Sequence, residues 1–264
     1  MKKGLKFLLA LFAILIITGC GNKKEEQLEN VNIKLGELTN FELTIGKRNI
    51  SVNNGNVVVN VTKEKTKDLT NYEEDSDIQV KELNTYSIYL DDNLIFTFDK
   101  GTFLDYDYEY NIDPSIYITK IIGDDSKEYL VFAKYEPYDT AGFSMLYYII
   151  GDNKKVLAKF NYGDTLYYFS LKGEGKEKYG DKDIWYNWWD AALYNNKIYY
   201  LGSDKDIELS EDGNDSFKLD EYVIKIKDNV VNASKTGNKY TAYDGEGASG
   251  GLLTLPWLEI VNVE

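Results

Sequence analysis

An all-β fold of antiparallel hairpins is what this sequence of 264 residues predicts. Three observations carry the expectation. From Val31 onward most segments alternate apolar and polar residues, or run through β-branched and aromatic ones, which suits pleated, half-buried strands. A unit of apolar arm, Asp/Asn turn and second apolar arm recurs at "SVNNGNVVV", "YSIYLDDNLIFTF", "LYYIIGDNKKVLAKF", "ALYNNKIYYLG" and "YVIKIKDNVVNA". Asn and Asp tolerate positive φ, so each unit reads as a hairpin. The turn residues Asn54, Asn93, Asn153, Asn196 and Asn229 stand 39, 60, 43 and 33 residues apart. Propeller blades repeat at about 40–50 residues, which these irregular gaps suggest, while a sandwich or barrel also produces hairpins at uneven intervals.

The chain opens with "MKKGLKFLLALFAILIITGC", in which Lys2, Lys3 and Lys6 precede an apolar run from Phe7 to Ile17. About a dozen apolar residues fall short of the roughly 20 that cross a bilayer core, and fit the h-region of a signal peptide. The ending Ile17-Thr18-Gly19-Cys20 resembles the lipobox of bacterial lipoproteins. That resemblance implies that Ile17, Thr18 and Gly19 are read by a signal peptidase, which removes residues 1–19. It also implies that Cys20 becomes a diacylated N-terminus on the outer face of the cytoplasmic membrane. Two or three acyl chains hold far more firmly than one, at about 0.8 kcal/mol per buried methylene. Residues 20–30, from Cys20 through "GNKKEEQLEN", read as a polar tether to a single domain over 31–264.

Within that domain "VNIKLGEL", "FELTIGKRNISV", "NVVVNVTKE", "SIYITKII" and "EYLVFAKYE" are expected strands, and "TNYEEDSDIQVKELN" is the one helical expectation, capped by Thr70 or Asn71. "LDYDYEYNID" alternates Asp105, Asp107 and Glu109 with tyrosines. As one strand it would line three carboxylates along a face, successive ones ~7 Å apart. The row reads as a solvated face, with a cation site or a glycosidase-like carboxylate pair as the other reading. "ITKIIGDDSKEYLVFAKYE" followed by "FSMLYYIIGDNKKVLAKF" resembles the repeats of integrin-type propellers, in which an acidic calcium loop precedes a strand. Asp124, Asp125 and Glu128 match that loop, but Lys120 and Ile122 stand where carboxylates belong, so the resemblance implies a propeller-like or incomplete propeller arrangement, with a sandwich or barrel as the alternative, and no calcium site.

The aromatic stretch "DIWYNWWDAALYNNKIYYLG" presents rings on both faces of a strand. Ile184, Tyr186 and Trp188 form the face expected in the core, and Trp185 and Trp189 on the other face are the candidate binding surface. "GEGASG" at 245–250 spells a dinucleotide fingerprint, yet only 14 residues follow it and Pro256 is among them. No helix can begin there to meet a pyrophosphate. "KTG" at Lys235 to Gly237 lacks the serine three residues before a lysine that penicillin-recognising enzymes need.

Composition narrows the function classes. The net charge is −14, and loss of Lys2, Lys3 and Lys6 leaves 27 basic side chains against 44 acidic, or −17. Phosphate backbones are repelled by that charge, so no nucleic-acid partner is expected. There is no histidine, Cys20 is the single cysteine and Arg48 the single arginine. Histidine-based catalysis, cysteine clusters and arginine clamps are thereby removed, and no metal, cofactor or catalytic residue is assigned. The expected role is non-catalytic binding or scaffolding at the cell envelope, with carbohydrate or peptide as ligand. The alternatives are an envelope glycan hydrolase pairing Asp105 or Asp107 with Asp190, and an assembly partner with no small-molecule site.

Overall fold

The computed structural model describes residues 30–53, 55–67, 78–105, 108–138, 142–161, 169–173, 192–210, 216–244, 251–253 and 255–261. All their regular elements are strands, in three larger sheets and one small one. Sheet A orders β1 (Asn30–Val31), β3 (Gly46–Val52), β4 (Gly55–Lys67), β5 (Ile78–Leu90), β6 (Asn93–Asp105) and β7 (Tyr108–Ile112). Sheet B orders β19 (Trp257–Ile260), β11 (Val156–Asn161), β10 (Gly142–Ile150), β9 (Glu128–Tyr138), β8 (Ser115–Ile122) and β2 (Thr39–Asn40). Sheet C orders β12 (Phe169–Gly173), β17 (Val230–Asp244), β16 (Ser216–Lys227), β14 (Lys197–Gly202) and β13 (Ala192–Tyr194). The short β15 (Ile207–Leu209) and β18 (Gly251–Leu253) pair with each other.

Each large sheet is built on a four-stranded antiparallel meander, β3 to β6, β8 to β11, and β13-β14-β16-β17. Among the described residues the strand pairs of the sheets are antiparallel except that of β1, which lies parallel to β3. No sheet closes on itself among the described residues. The three meanders stack face to face, with sheet B in the middle, and no closed barrel forms among the described residues.

The middle position of sheet B explains its sequence. On β9, Leu130 and Phe132 enter the core shared with sheet A, while Tyr129, Val131 and Ala133 enter the core shared with sheet C. On β10, Tyr148 and Ile150 face one way and Tyr147 and Ile149 the other. Strands covered on both faces lose polar alternation and read as continuous apolar runs, as "EYLVFA" and "MLYYII" do. Ring pairs cross both interfaces: Phe96 stacks on Tyr148 at 4.6 Å between A and B, and Phe160 meets Tyr200 at 4.7 Å, tilted by 51°, between B and C.

Two local expectations are corrected. Residues 78–84, the second half of the expected helix, belong to β5, which pairs with β6 from Ile78–Asp105 to Leu90–Asn93. Long-range pairing overrides a weak local cap. The acidic row is a hairpin, not one strand, because β6 ends at Asp105 and β7 starts at Tyr108. Asp105 and Glu109 therefore lie on neighbouring strands, where Asp105 faces Tyr108 and Glu109 faces Leu104.

The positive-φ turns of all three meanders meet at one end, where Asn53 contacts Glu128, Asp125 contacts Asp228 and Asp152 contacts Asn229. Positive φ occurs at Asn53, Asp91, Ser126, Lys154, Asn195, Asn196, Asp228 and Asn229, which are the turns β3–β4, β5–β6, β8–β9, β10–β11, β13–β14 and β16–β17. At the opposite end β9 is followed by β10 with Tyr138 opposite Gly142, and β6 by β7 with Asp105 opposite Tyr108.

Candidate functional site

At that opposite end a cleft of about 610 Å³ opens between sheets A and B, within the range typical of ligand pockets. Its floor is the exposed end of the A–B core: Phe41, Phe98 and Ile116 are buried there. Tyr86 and Phe98 face each other across β5 and β6, and their rings stack at 5.2 Å and 11°. The segment from β2 to β3 forms one wall with Glu42, Leu43 and the 62% exposed Ile45. It is held in place from below, since the Phe41 amide donates to the Ile116 carbonyl at 2.7 Å and the Arg48 guanidinium lies 5.0 Å over the Phe41 ring. The far wall carries Ser115 and the Lys100–Asp113 ion pair at 2.9 Å. An aromatic floor, amide and hydroxyl groups and a neutralised ion pair can orient a ligand that stacks and hydrogen-bonds.

At the other end the acidic residues are already engaged. Asp125 accepts hydrogen bonds from the Tyr129 hydroxyl at 2.7 Å, the Asp228 amide at 2.9 Å and the Lys127 amide at 3.1 Å. Burial raises this carboxyl, and those three donors outweigh it, leaving it below the usual range. Asp124 is lowered chiefly by its hydrogen bond from the Lys197 ammonium at 2.7 Å. Glu128 forms an ion pair with Lys120 at 3.1 Å without hydrogen-bond alignment. The lysine that breaks the calcium pattern thus supplies the positive charge there. The Lys127 ammonium similarly stands 3.1 Å from Asp152 and 3.9 Å from both Asp125 and Asp228.

A third polar cluster surrounds Glu221, a fully buried carboxylate at the bulge of β16 between Asp220 and Tyr222. It accepts from Thr236 Oγ1 at 2.7 Å, Asn238 Nδ2 at 3.0 Å and the Tyr240 hydroxyl at 3.2 Å. Lys235 ties the same bulge to Asp220 at 2.8 Å and to Asp204. The "KTG" tripeptide is therefore a fastening across β16 and β17.

Ile17, Thr18, Gly19 and Cys20 lie outside the described residues, as do Trp185, Trp188, Trp189, Asp107 and Asp190. The structure instead brings together Tyr86, Phe98, Lys100 and Asp113 with residues 40–45, a set the sequence reading did not assemble. Its members come from four separate segments, and only strand pairing makes them neighbours. Within the two segments that resemble propeller repeats, "IIGDDSK" and "IIGDNKK" are near-repeats. Both form the same turn, with Gly123 N to Lys127 O and Gly151 N to Lys155 O at 2.9 Å each.

No family model matches this chain, and no curated protein and no solved structure matches it either.

Proposed function

We propose that this protein is a lipid-anchored binding protein of the bacterial envelope that takes a carbohydrate or peptide ligand in the cleft between sheets A and B. The cleft is the observation that carries the reading. It combines stacked rings with the hydrogen-bonding groups of Asn40 and Ser115, the carboxylate of Glu42 and the internally paired Lys100 and Asp113. Such a lining holds a ligand's shape and hydroxyl or amide pattern. The anchor rests on the Ile17-Thr18-Gly19-Cys20 ending of a short apolar run.

Titration of the detergent-solubilised lipoprotein with glycan oligomers and with short peptides tests the ligand class. Ile45→Trp fills the mouth from an exposed position and should weaken binding at least about tenfold while shifting stability by less than ~0.5 kcal/mol. Binding that ignores this substitution would move the site to the Trp185 and Trp189 stretch. Intact mass of the membrane-extracted chain should show a diacylglycerol on Cys20, and Cys20→Ser should release the protein from membranes.

A further inference from the structure

One wall of the cleft is an extended segment whose pairing stops short. β2 lies along β8 with Thr39 opposite Ile118 and Asn40 opposite Tyr117, and the Phe41 amide donates to the Ile116 carbonyl at 2.7 Å. In that register Leu43 comes opposite Pro114, just before β8 begins at Ser115, and a proline has no N–H to give. Among the described residues no backbone group of Glu42, Leu43 or Thr44 bonds to another backbone group. The segment is nevertheless strand-like. Phe41 is buried, Glu42 exposed, Leu43 half-buried and Thr44 exposed, and none of them has positive φ. Burial of every second residue is the signature of an extended chain. Backbone groups of alternate residues point to the same side of such a chain. Leu43 therefore offers its N–H and C=O on the side that Phe41 uses for β8.

The rest of the cleft narrows what can pair there. The stacked rings of Tyr86 and Phe98 accept a flat or long apolar side chain. Of the charged side chains that line the cleft, Lys100 and Asp113 pair with each other, while Glu42 has no ion pair among the described residues. The nearby Lys134, opposite Ile116 on β9, is buried and turns its ammonium to the Thr97 carbonyl at 3.3 Å. The net charge of −14 adds a field that draws cations. A glycan lacks N–H and C=O groups at strand spacing, and a peptide main chain supplies them.

Building on the reading of the cleft as a ligand site, we propose that its occupant is an extended peptide segment of another protein, joined by main-chain hydrogen bonds to Leu43 and carrying a basic side chain beside Glu42. Strand addition of this kind takes its affinity from the backbone and its selectivity from alternate side chains.

The test uses the full chain in detergent and three pools of acetylated, amidated pentapeptides, random except for a central Lys, Gln or Glu. Capture from the Lys pool should exceed that from the Gln pool at least about threefold, with the Glu pool lowest. Glu42→Gln should level the Lys and Gln pools without moving the melting temperature. The tightest peptide is then remade with single backbone N-methyl groups. Methylation at one set of alternate residues should weaken binding at least about tenfold, and at the other set less than about twofold. Level Lys and Gln pools on the parent chain, or N-methyl losses without alternation, would overturn the proposal. If Ile45→Trp still blocks that capture, the cleft itself stands as the site. Chito-oligosaccharide binding that Ile45→Trp blocks, with no pool captured, would likewise overturn the peptide and keep the cleft. Peptide capture untouched by Ile45→Trp, or no capture of any pool or glycan, would overturn the cleft reading and this proposal with it.

Discussion

At the scale of single residues, the turns of sheet B are set by two glycines whose surroundings differ. A Cβ on Gly123 would come within 2.6 Å of the Ile226 carbonyl oxygen, which also accepts the Asp124 amide at 2.7 Å. A Cβ on Gly151 would meet the Leu157 side chain at 2.8 Å and the Asn229 amide oxygen at 3.0 Å. Backbone of a neighbouring sheet cannot move aside, whereas side-chain ends can. Gly123→Ala should therefore cost about 1–3 kcal/mol and Gly151→Ala clearly less. Urea melts of the two variants check this, and a reversed order would mean that the β8–β9 turn shifts as a unit. The turn glycines stand plainly in "IIGD", but the carbonyl that crowds Gly123 comes from β16, 103 residues later. No local pattern announces it.

At the scale of elements, the hairpins were legible because their cause is local. Two central residues at positive φ match the right-handed twist of the arms, and Asn195–Asn196, at 48° and 60°, is such a turn. Asn195→Gly should leave stability within about 0.5 kcal/mol, and Asn195→Ala should lose roughly 1–2 kcal/mol from the Cβ clash. Thermal melts that put the two variants level would show the turn adopting another conformation. The β5 and β6–β7 segments were misread for the complementary reason. The acids of "TNYEEDSDIQVKELN" suit a helix start taken alone, while β5 is fixed along its length by β6. Alternation in "LDYDYEYNID" suits a single strand or two arms of a hairpin equally.

At the scale of the whole molecule, charges and buried phenols define the pH range of stability. Burial pushes Tyr129 and Tyr200 up to about 12, with the Asp125 hydrogen bond reinforcing the first. A raised tyrosine stabilises the fold fully below the unfolded value of ~10, and that contribution is lost as pH climbs toward 12. Asp124, Asp125, Asp204 and Asp220 are lowered, so their contribution is present above ~3.9 and is lost as pH falls through their folded values. Melting temperature should hold a plateau from about pH 5 to 10 and drop on both sides, with phenolate absorbance appearing late on the alkaline limb. A maximum near the isoelectric point of about 4.6 would instead make net-charge repulsion the governing force.

The sequence by itself determined the all-β class and the positions of the hairpin turns, since period-two alternation and positive-φ residues act over a few residues. Tertiary structure alone decided that sheet B is covered on both faces, that the acids of the β8–β9 turn are taken by Lys197, Tyr129 and the Asp228 amide, and that a cleft opens between sheets A and B. Apolar burial is not directional, so a strand's own residues say that it will be covered without saying by what. The partners were settled by which meanders meet, and the cleft is assembled from residues of both sheets A and B and the segment between β2 and β3.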